Sequence, residues 1–133
     1  MIRPCFLVVD REFSSMISTR KLVIETAKFN VITAYSGKEA IETLRKFSAI
    51  DGVVMDAHMR DITGDELVAG LKSILPNIPI IAVHTPGASP CWSADHHVES
   101  MAPEKLLECL RNLHPEAAEA VHKRNHELRN GEI

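Results

Sequence analysis

Apolar residues along this chain fall into two alternating kinds of pattern. Short runs rich in Val, Ile and Phe occur at Cys5–Val9, Val31–Tyr35, Gly52–Met55 and Ile80–Val83. Runs of that length with no polar alternation predict strands buried on both faces, as in a parallel sheet covered by helices. Between them, apolar residues recur at helical spacing. Phe13, Met16, Ile17, Ile24 and Ala27 mark a first helix, with Asn30 as its left-handed stop. Ala40, Ile41, Leu44 and Phe47 form the inward stripe of a second helix, and Leu67, Val68, Leu71, Ile74 and Leu75 that of a third. Ser36–Glu39 and Thr63–Glu66 both read as capping boxes at the starts of these helices.

The pattern weakens after His84. Thr85-Pro86-Gly87-Ala88-Ser89-Pro90 is turn-forming and incompatible with a helix interior. His96–Glu99 reads as a short fifth strand. Pro103 then opens a last helix carrying Leu106, Leu107, Leu110 and Leu113. The order βαβαβαβ–loop–βα implies an α/β, doubly wound parallel sheet of five strands. Residues 1–114 are expected to form one domain and 115–133 a polar helical tail or linker. In that tail Ala118, Val121, Asn125 and Leu128 span too little for a coiled coil.

Composition narrows the class. The chain has 133 residues, 45% hydrophobic and 25% charged, as in an ordinary globular domain. Fifteen basic against 18 acidic residues give −3 and no basic stripe, which argues against direct nucleic-acid binding. Cys5, Cys91 and Cys109 are odd in number and form no C-x-x-C, so a reducing cytoplasm fits better than a disulfide scaffold. The first apolar run is too short for a signal peptide or membrane span.

Chemistry concentrates at strand ends. The first run ends in Asp10 and the third in Asp56. Carboxyl ends of parallel strands are where open α/β sheets place their ligand crevices. Two converging carboxylates repel unless a cation, a proton or a basic side chain lies between them, which points to metal or phosphoryl chemistry. Cys91, His96 and His97, with His84 and His114 as spare ligands, match no standard zinc spacing. Trp92, the single tryptophan, reads as a loop anchor tucked into the core.

Leu7-Val8-Val9-Asp10, Val31–Ala40 and Asp51–Asp56 resemble the receiver domain of two-component response regulators. So do Thr63–Leu67, Ile78–Ile81 and Pro103–Leu107. The resemblance runs in order from residue 5 to about 114 and implies a flavodoxin-like sheet in strand order 2-1-3-4-5. It implies that Asp56 accepts a phosphoryl group from a histidine kinase or phosphotransfer protein, and that Asp10 helps to hold Mg²⁺ beside it. It further implies a cytoplasmic signalling protein that is not an enzyme, with an output domain as a further partner; the apolar last helix adds a homodimer to the expected partners.

Departures from the family pattern are specific. The second acidic position is Arg11, with Glu12 next along. The strand-end hydroxyl position is His84, with Thr85 one step away, and the lysine position is Glu99, followed by Ser100 instead of proline. Arg60 takes the place of the proline after the acceptor strand. Mg²⁺ held through Asp10, Asp56 and Glu12 is therefore expected to bind weakly. Arg11 either points to solvent or enters the pocket in place of the metal. The step of fifteen positions from His84 to Glu99 is too short for the usual fourth helix, which is expected to be lost or shortened. That loss would bare one flank of the sheet unless Trp92, Val98 or a second subunit covers it. Two functions follow: a receiver phosphorylated on Asp56, or a phosphorylation-independent interaction module that kept the fold. A metal hydrolase lacks a positioned nucleophile and base.

Overall fold

The computed structural model describes residues 4–10, 19–88, 91–99 and 102–113. Arg11, Glu12, Ser100, His114 and the expected tail lie outside these. The elements are β1 (Cys5–Val9), α1 (Thr19–Thr26), β2 (Asn30–Ala34), α2 (Gly37–Lys46) and β3 (Gly52–Asp56). They continue with α3 (Gly64–Ile74), β4 (Ile80–His84), β5 (His96–Glu99) and α4 (Pro103–Leu113). All four strand pairings are parallel and the order is β2-β1-β3-β4-β5.

Successive strand residues point to opposite faces, so each buried strand feeds two cores. Leu7, Val9, Val53, Met55, Ile80 and Ala82 face α2 and α3, meeting Ala40, Leu44, Leu67, Val68 and Leu71. Phe6, Val8, Val54, Ile81, Val83 and Val98 face the other way, towards Ile24 of α1 and Leu106 and Leu110 of α4. Helices on both faces explain why the strands lack polar alternation.

Helix ends show where local chemistry decides. Ser36 Oγ accepts from Glu39 N (3.0 Å), but the reciprocal Glu39 carboxylate takes the Tyr35 amide (3.4 Å) instead of that of Ser36. Thr63 Oγ1 likewise accepts from Glu66 N at 3.1 Å. The expected stop at Asn30 is corrected: the left-handed residue is Lys28, with φ of 66°. Lys28 N donates to Glu25 O (2.9 Å) and Phe29 N to Ile24 O (3.3 Å), a Schellman motif. Its apolar partners, Ile24 and Phe29, are both buried in the second core. Burying Phe29 moves the turn two residues earlier and leaves Asn30 to start β2. Phe47, expected on the inward stripe, is 56% exposed. It caps α2 from outside the last turn, and Ile50 is buried in the α2–α3 core.

The crossover from β4 to β5 contains no helix among its described residues, as the spacing predicts. Thr85–Ala88 is a type II turn, with Ala88 N donating to Thr85 O (3.0 Å), Pro86 presetting φ and Gly87 at φ 85°. The crossover covers part of the flank expected to be bare: Cys91 and Ala94 are buried and join the α2–α3 core, while His97 of β5 stays exposed. Trp92, expected as the anchor, is 76% exposed. The small side chains on either side of it fit the space beside α3, and the indole lies outside against the His97 ring, with centroids 5.4 Å apart.

Candidate functional site

Register brings the strand-end residues to one edge. Val9 pairs with Met55, so Asp10 and Asp56 follow at the ends of neighbouring strands. Asp56 pairs with Val83, and His84 with Glu99. Asp10, Asp56, His84 and Glu99 therefore line the carboxyl edge of the sheet in that order. The two carboxylates are the buried charged residues among those described, at 0% and 6% exposure. Burial of this kind demands compensation of their charge.

Backbone bonds fix the walls. Asp10 N donates to Ala34 O (2.9 Å) and Ala57 N to Val83 O (2.9 Å), extending the ladder past the strand ends. His58 N donates to Asp56 Oδ1 at 2.8 Å, turning the chain back over the carboxylate. Asp61, further along this β3–α3 loop, accepts from Gly37 N and Lys38 N, each at 2.9 Å. Partial burial works to raise the Asp61 carboxyl, but these amides outweigh it and hold the group below the ordinary range. An open cleft of about 340 Å³ lies beside the loop, lined by Ala57, His58, Met59, Thr63, Gly64, Asp65 and Cys91.

The remaining candidates are placed differently. His84 is half-buried, and its Nδ1 donates to Thr85 O (3.2 Å) instead of to Asp56. Thr85 is exposed, past the strand end. Glu99 is exposed at the end of β5. Among the described residues the histidines and Cys91 do not converge. His97 Nε2 donates to Cys91 O (2.7 Å), while Cys91 Sγ lies 3.5 Å from Asp65 Oδ1 and 3.4 Å from Ser93 Oγ. Ser93 Oγ also donates to Asp65, at 2.5 Å. The hydrogen bonds from Ser93, then Cys91, hold the Asp65 carboxyl below its ordinary range. Among the described residues no group of three or more His, Cys, Asp or Glu is arranged to hold a metal.

Asp10 and Asp56 offer Mg²⁺ oxygen ligands of the hard kind it prefers. They fit in chemistry and fall short in number, because Mg²⁺ then depends on water and substrate oxygens for the rest. Asp61 was not legible beforehand. An acid in a loop says nothing of a helix start 24 residues away.

The chain matches the sequence model of the response regulator receiver domain over residues 6–91, well over half its length. It belongs to that family. The match ends at Cys91, inside the shortened crossover. The chemotaxis response regulator CheY4 of Vibrio cholerae is similar at 25% identity and TM-score 0.71, over 84% of this chain and 99% of that one. A receiver domain protein of Methanospirillum hungatei JF-1 shares 20% identity at TM-score 0.70, over 92% and 99%. One from Clostridium thermocellum shares 22% at TM-score 0.64, over 83% and 98%. These two show the common fold. No curated protein matches the chain at a significant level. No helix among the described residues is long and apolar enough to cross a membrane.

Proposed function

We propose that this receiver domain accepts a phosphoryl group on Asp56 from a histidine kinase or phosphotransfer protein and relays that state to an output module or partner. The observation that carries the reading is the burial of Asp56 beside Asp10 at the carboxyl edge of a receiver sheet. In the step, a carboxylate oxygen of Asp56 attacks the phosphorus of a phosphohistidine. The O–P bond forms, the P–N bond breaks, and the imidazole leaves with the bonding pair and takes up a proton. His58 N already donates to Asp56 Oδ1 and orients the attacking group. Asp10 and Asp56 are the residues that would hold Mg²⁺, which supplies charge neutralisation for the transferred group.

The acceptor works with weakened support. Glu99 brings a negative charge to the strand end paired with His84, where the family places a lysine. It repels the phosphoryl oxygens that a lysine would bind. Arg11 stands in sequence where the family pattern has an acidic metal ligand, so one expected ligand is lost. Together these predict weak Mg²⁺ affinity and slow acceptance. A second reading, a phosphorylation-independent interaction module, is favoured by the same Glu99. The two separate on peptide mapping after exposure to a phosphodonor. Label on Asp56 supports the receiver reading, and an unlabelled chain that still binds its partner supports the module.

A further inference from the structure

Asp61 lies five residues after Asp56 in the same loop, yet its carboxylate serves another element. Its two oxygens each take one amide of the first turn of α2, Oδ1 that of Gly37 and Oδ2 that of Lys38. With Ser36 Oγ on Glu39 N, the first three amides of the helix are satisfied, two of them by an acid from outside it. The positive end of the helix dipole adds to the attraction. The contact also has an apolar half. Ile62 lies so close to the Gly37 backbone that a Cβ there would meet its Cδ1 at 2.5 Å. At the loop's start, His58 N is bound to Asp56 Oδ1. The loop is thus tied to the acceptor carboxylate at one end and to α2 at the other.

We infer that Asp61 is a positioning residue for phosphoryl acceptance. By clamping the β3–α3 loop to α2, it fixes the direction in which Asp56 and the His58 amide face an incoming phosphoryl group. The inference rests on the reading of Asp56 as acceptor. Its physical basis is that small misplacements of reacting groups cost large factors in rate. Ser36 provides the control, because its side-chain hydrogen bond caps the same helix from the helix's own chain and not from the loop.

The experiment compares the whole chain with Asp61→Ala, Asp61→Asn and Ser36→Ala. It measures the rate of Asp56 labelling by acetyl phosphate with Mg²⁺, the hydrogen exchange of the His58 amide, and the melting temperature. Asp61→Ala is expected to slow labelling by about 10- to 100-fold and to speed His58 exchange. Asp61→Asn, which keeps an acceptor for one amide, recovers part of both. Ser36→Ala lowers the melting temperature but leaves labelling and His58 exchange at wild-type values. Wild-type labelling in Asp61→Ala overturns the inference, as does equal slowing in Ser36→Ala. If the wild-type chain takes no label, the acceptor reading fails separately. The clamp is then judged on His58 alone, where unchanged exchange in Asp61→Ala overturns it and faster exchange upholds it.

Discussion

Asp95 and Ile80 exchange hydrogen bonds: Ile80 N donates to Asp95 Oδ2 (2.8 Å) and Asp95 N donates to Ile80 O (3.0 Å). The pair joins the end of the crossover to the start of β4 and sets the register in which β5 begins. Lys72 Nζ of α3 lies 3.0 Å from the same carboxylate. One aspartate thus ties strand, crossover and helix together where the family's fourth helix is missing.

Asp95→Ala is expected to cost about 1–3 kcal/mol, because it leaves the Ile80 amide without its charged acceptor. Lys72→Ala, which removes a partly exposed ion pair, should cost less than about 1 kcal/mol. Burial acts to raise the Asp95 carboxyl, but the Ile80 amide and Lys72 prevail and hold it below the ordinary range. A group lowered in the folded state stabilises above its unfolded pKa and loses that contribution as pH falls through the folded value. Wild-type stability should therefore erode below about pH 4, and Asp95→Ala should lose less over that window. Urea denaturation at several pH values measures both effects.

Leu107 and Leu110 lie three residues apart on α4 and differ in burial: Leu110 is fully buried in the second core and Leu107 half-buried. Leu110→Ala should cost about 2–5 kcal/mol by lost burial and cavity formation. Leu107→Ala should cost clearly less. Equal costs in chemical denaturation would contradict the placement of α4.

Trp92→Ala should change stability by less than about 0.5 kcal/mol, as a surface substitution does. In the wild-type chain, acrylamide should quench its fluorescence nearly as efficiently in the native state as in urea. A strongly protected indole would contradict the crossover described above.

Arg11→Asp combined with Glu99→Lys should tighten Mg²⁺ binding and speed labelling of Asp56. The pair restores the family's carboxylate at position 11 and its lysine at position 99. Calorimetric Mg²⁺ titration of wild type and double variant tests it. Unchanged affinity in the variant would remove Arg11 and Glu99 as the cause of a weak site.

What was legible in the sequence is what depends on near neighbours. Strand runs such as Gly52–Asp56, the Ser36 and Thr63 caps, and the lost helix were readable because period, capping and spacing act within a few residues. Asp10 and Asp56 were legible as a pair because each ends a buried strand. Features that depend on distant partners were not. Lys28 takes the left-handed turn because the sheet demands a buried Phe29, although Asn30 is the better local candidate. Phe47 lies on the stripe by spacing, but its helix has ended by then. Cys91 and Ala94 displace Trp92 from the core because the space beside α3 is small. Asp61 caps a helix that only the fold brings to it.

Phosphoryl acceptance at Asp56, with weakened support from its neighbours, is open to direct measurement. Intact mass of the wild-type chain and of Asp56→Asn, after incubation with acetyl phosphate across a Mg²⁺ titration, tests it most directly. Slow gain of one phosphoryl group by the wild-type chain, increasing with Mg²⁺, and none by Asp56→Asn, is the expected result. No gain at any Mg²⁺ concentration, or equal gain in both chains, would contradict it.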